Sequence, residues 1–143
     1  MVDRNRMNPV ASPVLKFLEE FRKGDRDAAF FGLLDLDRRL LPELMSLFRS
    51  ESEPQVRAFL VEILWQHRQA TIIPFLGDAL QDSAPEVWKE ALNGLVALAS
   101  PAALGVLREA KSRRSDSKEF RRWVDEAIDQ VEFEISPVGG QVV

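Results

Sequence analysis

The sequence predicts an all-α fold, a right-handed α-solenoid of about four helical hairpins, roughly eight helices in all. Three observations carry this. Prolines that open short helices stand at Pro13, Pro42, Pro74 and Pro101, at spacings of 29, 32 and 27 residues. Longer apolar faces superpose: Val56, Leu60 and Leu64 recur 31 residues on as Val87, Ala91 and Leu95, and 33 residues later as Phe120, Val124 and Ile128. Helix-start signals repeat in step with both. A period near 30 residues, with two helices per unit, marks stacked repeats, because each pair exposes an apolar face that it can bury only against a neighbour.

The elements follow in order. Residues 1–11 are polar, carry Asn8-Pro9 and are expected to form a flexible arm. Ser12-Pro13 pairs an N-cap with a proline at the first helical position. Val14, Leu15, Leu18 and Phe21 then form an apolar face that ends at Gly24. Asp25 caps the next helix, whose inner face is expected at Ala28, Phe31 and Leu33 or Leu34, running to about Arg39. A third helix starts at Leu41-Pro42 and turns Leu44, Leu47 and Phe48 inward. Ser52 and Gln55 then read as a capping box, in which two side chains satisfy each other's backbone donors. The helix behind it carries Val56, Leu60, Ile63 and Leu64. Another begins near Thr71, with Phe75, Leu76 and Leu80 inward. Ser83 and Glu86 form a second box, around Pro85, before Val87, Ala91, Leu95 and Leu98. Ser100-Pro101 repeats the opening signal ahead of Leu104, Leu107 and Ala110. Asp116 and Glu119 make a third box before Phe120, Val124, Ile128 and Val131. The repeat domain is expected over 12–133, with units of about 12–39, 40–69, 70–99 and 100–133. Residues 134–143 form a C-terminal tail.

Composition narrows the functional classes. The 143 residues carry a net charge of −4 and no cysteine, which removes disulfides, thiolate nucleophiles and sulfur metal ligands together. The acidic balance argues against nucleic-acid binding. No apolar run approaches the roughly 20 residues of a membrane span, so a cytoplasmic protein without a membrane is expected. There is one histidine, His67, and no tyrosine. His67 reads as a helix-end or surface residue. No phosphate loop, dinucleotide fingerprint or serine elbow is present, and the acidic pairs lack partners for acid–base work. No catalytic residue, no metal ligand, no cofactor and no enzymatic activity are expected.

The middle of the chain resembles a known family. Leu41-Pro-x-Leu followed by Pro54-x-Val-Arg, and Ile73-Pro-x-Leu followed by Asp82-x-x-Pro-x-Val-Trp-x-x-Ala, look like short bacterial HEAT repeats of the type noted in phycobilisome-lyase-like proteins. The likeness covers about residues 12–131 as four units, most clearly in the middle two. The family's arginine after the valine is Arg57. In the next unit Trp88 replaces it, and in the fourth Arg121 takes its place without the proline. The resemblance implies a binding role and no particular substrate.

The expected function is therefore a non-catalytic protein–protein interaction module, a scaffold that holds a protein partner on its concave second-helix face. An adaptor or a toxin-neutralising immunity protein of a bacterium fits the size, the acidity and the missing chemistry. The ladder expected to bind is Arg57, Glu62, Trp88, Lys89, Asn93, Arg122 and Gln130. Trp88 reads either as a binding anchor or as a packing cap on the next unit. Trp65 and Trp123 read as packing. A basic patch of Lys111, Arg113, Arg114, Lys118 and Arg121 carries two readings: a solvated face with pairs such as Arg121–Asp125 and Arg122–Glu126, or a phosphate-binding or acidic-partner surface. With Trp88, it is what supports the alternative of nucleic-acid recognition, as in HEAT-like DNA glycosylases. The repeat type suggests a further alternative, handling of a bilin chromophore as in phycobilin lyases. A monomer or weak homodimer is expected, with Phe30 or Phe31 capping the first unit or joining a dimer contact.

Overall fold

The computed structural model describes residues 12–114 and 117–137. The expected arm over 1–11 and most of the tail over 134–143 lie outside those residues, as does Asp116 of the third capping box. The described residues form eight α-helices and no strand: α1 Pro13–Arg22, α2 Arg26–Leu34, α3 Leu41–Ser50, α4 Pro54–Gln66, α5 Ile73–Ala79, α6 Pro85–Ala97, α7 Pro101–Arg113 and α8 Lys118–Ile135. Short 3-10 turns at Arg38–Leu40 and Ala70–Ile72 lead into α3 and α5. The helices pair in sequence as α1/α2, α3/α4, α5/α6 and α7/α8. The second helices stack in a row, α2 on α4, α4 on α6 and α6 on α8, and α4 with α6 is the broadest contact in the molecule. This is a helical solenoid.

The start signals act as their chemistry dictates, with one correction. Ser12, Asp25, Ser100 and Ser117 each accept a backbone N–H of the first turn. The boxes at Ser52/Gln55 and Ser83/Glu86 do not form. Pro54 and Pro85 occupy the first helical position, so Glu53 and Ala84 become the caps, and neither contributes a side-chain bond. A residue before proline is held extended, which moves each helix start one residue past its serine. The acid one residue earlier does the capping work instead: Glu51 Oε2 accepts Glu53 N–H at 3.1 Å, and Asp82 Oδ1 accepts Ala84 N–H at 2.9 Å.

The core is continuous from Val14 to Val131 and contains no charged or polar residue among the described ones. The inward positions expected on α4, α6 and α7 are buried, Leu98 at the end of α6 being half-buried. α2 departs from expectation. It stops at Leu34, and Ala29 and Leu33 face inward while Ala28 is exposed and Phe31 is 64% exposed. Leu15 of α1 is likewise turned outward. Two glycines allow close helix approach. A Cβ on Gly32 would run into the Phe17 ring, and one on Gly94 would lie 2.7 Å from Trp65 Cγ.

Candidate functional site

Two sets of side chains emerge from the second-helix row: one clamps the repeats together, the other faces outward. Arg57 belongs to the clamps. Its Nε and Nη2 donate to the two carboxylate oxygens of Asp82 at 2.9 and 3.1 Å, and its Nη1 donates to the carbonyls of Glu51 and Ser52. The pair is mostly buried, at 16% and 11% side-chain exposure. A planar guanidinium with donors fixed in a fork suits this double duty. Arg57 thus ties the loop of its own unit to the next, and its place in the expected binding ladder is corrected: its guanidinium fork is committed to Asp82 and to the loop carbonyls.

Trp88 is corrected in the same way. It is 2% exposed and packs edge-on against Phe120 and Trp123, with centroids 5.0 and 6.3 Å away. The packing reading holds. One of the loop carbonyls that an arginine at this position would have met, that of Asp82, is bonded by Arg114, whose Nη1 donates to the carbonyls of Leu80 and Asp82 at 2.8 Å each. Its guanidinium lies 4.4 Å from the Phe120 ring centre and 5.8 Å from that of Trp88. The arginine clamp of this unit therefore comes from the following unit and rests on the tryptophan that displaced it.

Three residues of the expected basic patch have partners within the chain. Lys111 pairs with Asp125 at 2.7 Å, Arg113 lies 3.7 Å from Glu109, and Arg114 is a clamp. Asp125 thus reaches across to α7 rather than along α8 to Arg121. Arg121 is half-buried and Lys118 is exposed. Three of the five cations are thus engaged within the chain, and Lys118 and Arg121 carry what is left of the basic surface.

The outward set remains. Aligned by the repeat spacing, the columns are Gln55, Glu86 and Glu119; Ala58, Lys89 and Arg122; Glu62, Asn93 and Glu126; and Gln66, Ala97 and Gln130. Glu62, Lys89, Asn93, Arg122 and Gln130 from the expected ladder stand in these columns, all partly or fully exposed. Lys89 is held in place, with Nζ 3.2 Å from Glu119 and 4.7 Å above the Trp123 ring. Glu90 lies between the Glu86 and Asn93 positions and is absent from the expected ladder. It accepts the indole N–H of Trp65 at 2.8 Å and the Asn93 amide at 3.4 Å. Burial pushes its carboxyl above the ordinary glutamate range, and the charge of Glu62 adds to this, against the opposing pull of the indole bond. The signal that could have found it was positional: Glu90 aligns with Phe59 and Trp123, so a carboxylate sits in a column of aromatics.

Beside Glu90 the face opens into a recess of about 220 Å3. Its floor is the Phe21–Phe59 pair, stacked at 4.1 Å with an 18° interplanar angle. Arg26 crosses its rim to Glu62 at 2.6 Å. His67 ends α4, with Nε2 3.2 Å from the carbonyl oxygen of Leu33, the helix-end role its position suggested. Among the described residues no group of His, Asp or Glu is arranged to hold a metal ion, and no helix is long and apolar enough to cross a membrane.

The comparisons agree with this architecture. A family model described as HEAT repeats matches residues 41–129, from the start of α3 through most of α8. No curated protein and no solved structure matches the chain. With paired helices, an arginine clamp between units and a family match over more than half its length, the chain belongs to the HEAT-repeat family.

Proposed function

We propose that the chain is a non-catalytic interaction module that holds one protein partner on its second-helix face, in the manner of an adaptor or a neutralising immunity protein. HEAT repeats are commonly protein-interaction modules and typically scaffolds without catalysis. The observation that carries the proposal is the division of labour in the second-helix row. Arg57, Trp88 and Arg114 are committed to holding the units together. Glu86, Asn93, Arg122, Glu126 and Gln130 are left exposed on the second-helix row, beside the half-buried Glu62 and Lys89, which pair with Arg26 and Glu119 of the neighbouring units. Such columns can vary without disturbing the core, which is what recognition of an extended partner requires.

A photo-crosslinking amino acid at Asn93 on α6, compared with one at Glu109 on α7, tests the proposal in cells that make the protein natively. The expected result is a single protein adduct of defined mass through position 93 and none through position 109. Adducts at both positions, or at neither, contradict it.

A further inference from the structure

The recess on the second-helix face has a chemistry of its own, and this inference rests on the docking role proposed above. Three carboxylates meet there: Glu62 from α4, and Glu86 and Glu90 from α6. One cation, Arg26, stands against them, so the recess keeps an excess of negative charge. The floor is apolar and aromatic, made by the stacked rings of Phe21 and Phe59. Phe59 is buried beneath Phe21, so the partly exposed Phe21 ring is the aromatic surface of the recess. A carboxylate wall beside that ring attracts a cation twice, by charge and by the negative face of the ring.

A second observation points to the same ligand. The chain already places a guanidinium in this setting. Arg26 bonds Glu62 at 2.6 Å, while its guanidinium lies 5.5 Å from the ring centres of both Phe30 and Phe59. Arg26 occupies the rim, 52% exposed, and the recess of about 220 Å3 lies open beside it. Glu86 is exposed and Glu90 is bonded to neutral donors alone, Trp65 and Asn93. Glu90's carboxyl is raised by burial and by Glu62, the condition that an entering cation would relieve.

The geometry points to an arginine-bearing basic segment of the partner, with one guanidinium seated over Phe21 and bonded by Glu86 and Glu90. Arginine suits the site better than lysine, because its planar group stacks on a ring while donating in its own plane to carboxylates.

The test uses the full chain and fluorescein-labelled hexa-arginine, hexa-lysine and hexa-glutamate peptides, followed by fluorescence anisotropy at physiological ionic strength. Hexa-arginine is expected to bind saturably and several-fold more tightly than hexa-lysine, and hexa-glutamate not to bind. Glu86→Gln with Glu90→Gln is expected to weaken hexa-arginine by at least about tenfold, the least that loss of a charged contact would give. Glu43→Gln with Glu109→Gln, on the first-helix row and equal in charge, should leave it unchanged. The Glu90→Gln change keeps an acceptor oxygen for the Trp65 indole. Should the double variant fold poorly, Glu86→Gln alone carries the test, since Glu86 is exposed. No saturable binding, equal affinity for hexa-lysine, or equal weakening by both double variants overturns the inference. Absent hexa-arginine binding with the crosslink through position 93 retained removes the basic ligand and leaves the docking face; loss of both removes the face as well.

Discussion

Trp88 and Arg114 show how far single residues could be read in advance. That Trp88 breaks the pattern set by Arg57 and Arg121 is plain in the sequence. What it does there is not, because its counterpart, Arg114, arrives from the next unit's linker, and only the fold brings the two within 5.8 Å. A buried indole touching Phe120 and Trp123 implies a large cost on removal. Trp88→Ala is expected to lower unfolding stability by about 3–5 kcal/mol, read from the urea midpoint. A variant as stable as the parent would return Trp88 to the surface. Glu90 carries a pH signature. Its folded carboxyl is raised, so below the ordinary glutamate range both folded and unfolded chains hold the proton and nothing is lost. As pH climbs from that range through the raised value, the folded state loses relative stability. Glu90→Gln should therefore raise the melting temperature at neutral pH and leave it unchanged at about pH 3, below the ordinary glutamate value. Glu51 runs the other way. The bond from Arg22 holds its carboxyl low, so its contribution is present above the ordinary glutamate range and is lost as pH falls through the lowered value.

At the scale of the element, the apolar spacing of the longer helices was sufficient. Val56, Leu60, Ile63 and Leu64 on α4 and Leu104, Leu107 and Ala110 on α7 fall where a 3.6-residue period puts them. α2 was less legible. Its stretch Arg26–Leu34 is apolar at six of nine positions, so several rotations of the helix look equally good. The choice is made by α1: Gly32 lets the Phe17 ring close against the backbone, which turns Ala29 and Leu33 inward and Phe31 out. The helix starts were misread by one residue because serine followed three residues on by glutamine or glutamate matches the capping-box pattern, while the proline's own position fixes the cap elsewhere. This yields a sharp contrast. Ser83→Ala is expected to cost less than about 0.5 kcal/mol, as an exposed surface change does. Asp82→Ala removes the bond to Ala84 and leaves the largely buried Arg57 without its carboxylate, at about 2–4 kcal/mol. Thermal unfolding of the two variants decides it; a larger loss from Ser83→Ala would restore the capping box.

For the whole molecule, the repeat period made the solenoid legible, because stacking of similar units leaves the same mark in every unit. The surface was legible only in part. Columns can be drawn from the sequence, and five of the seven expected ladder residues lie at the surface. Whether a column position faces outward or into the next unit depends on helix rotation and side-chain length, and the sequence leaves both free. Arg57 and Trp88 were lost from the ladder for that reason, and the recess over Phe21 and Phe59 was missed because its parts come from four helices. In the proposed function the clamps hold the fold and the exposed columns bind the partner. This is tested most directly by Asn93→Arg with Glu126→Arg, both exposed on the second-helix row. The measurement is this variant's affinity for the protein crosslinked through position 93, taken beside its melting temperature. The expected result is a melting temperature within about 2 °C of the parent and a loss of affinity of roughly tenfold or more, since neither residue holds the core. An intact fold with undiminished affinity would contradict it.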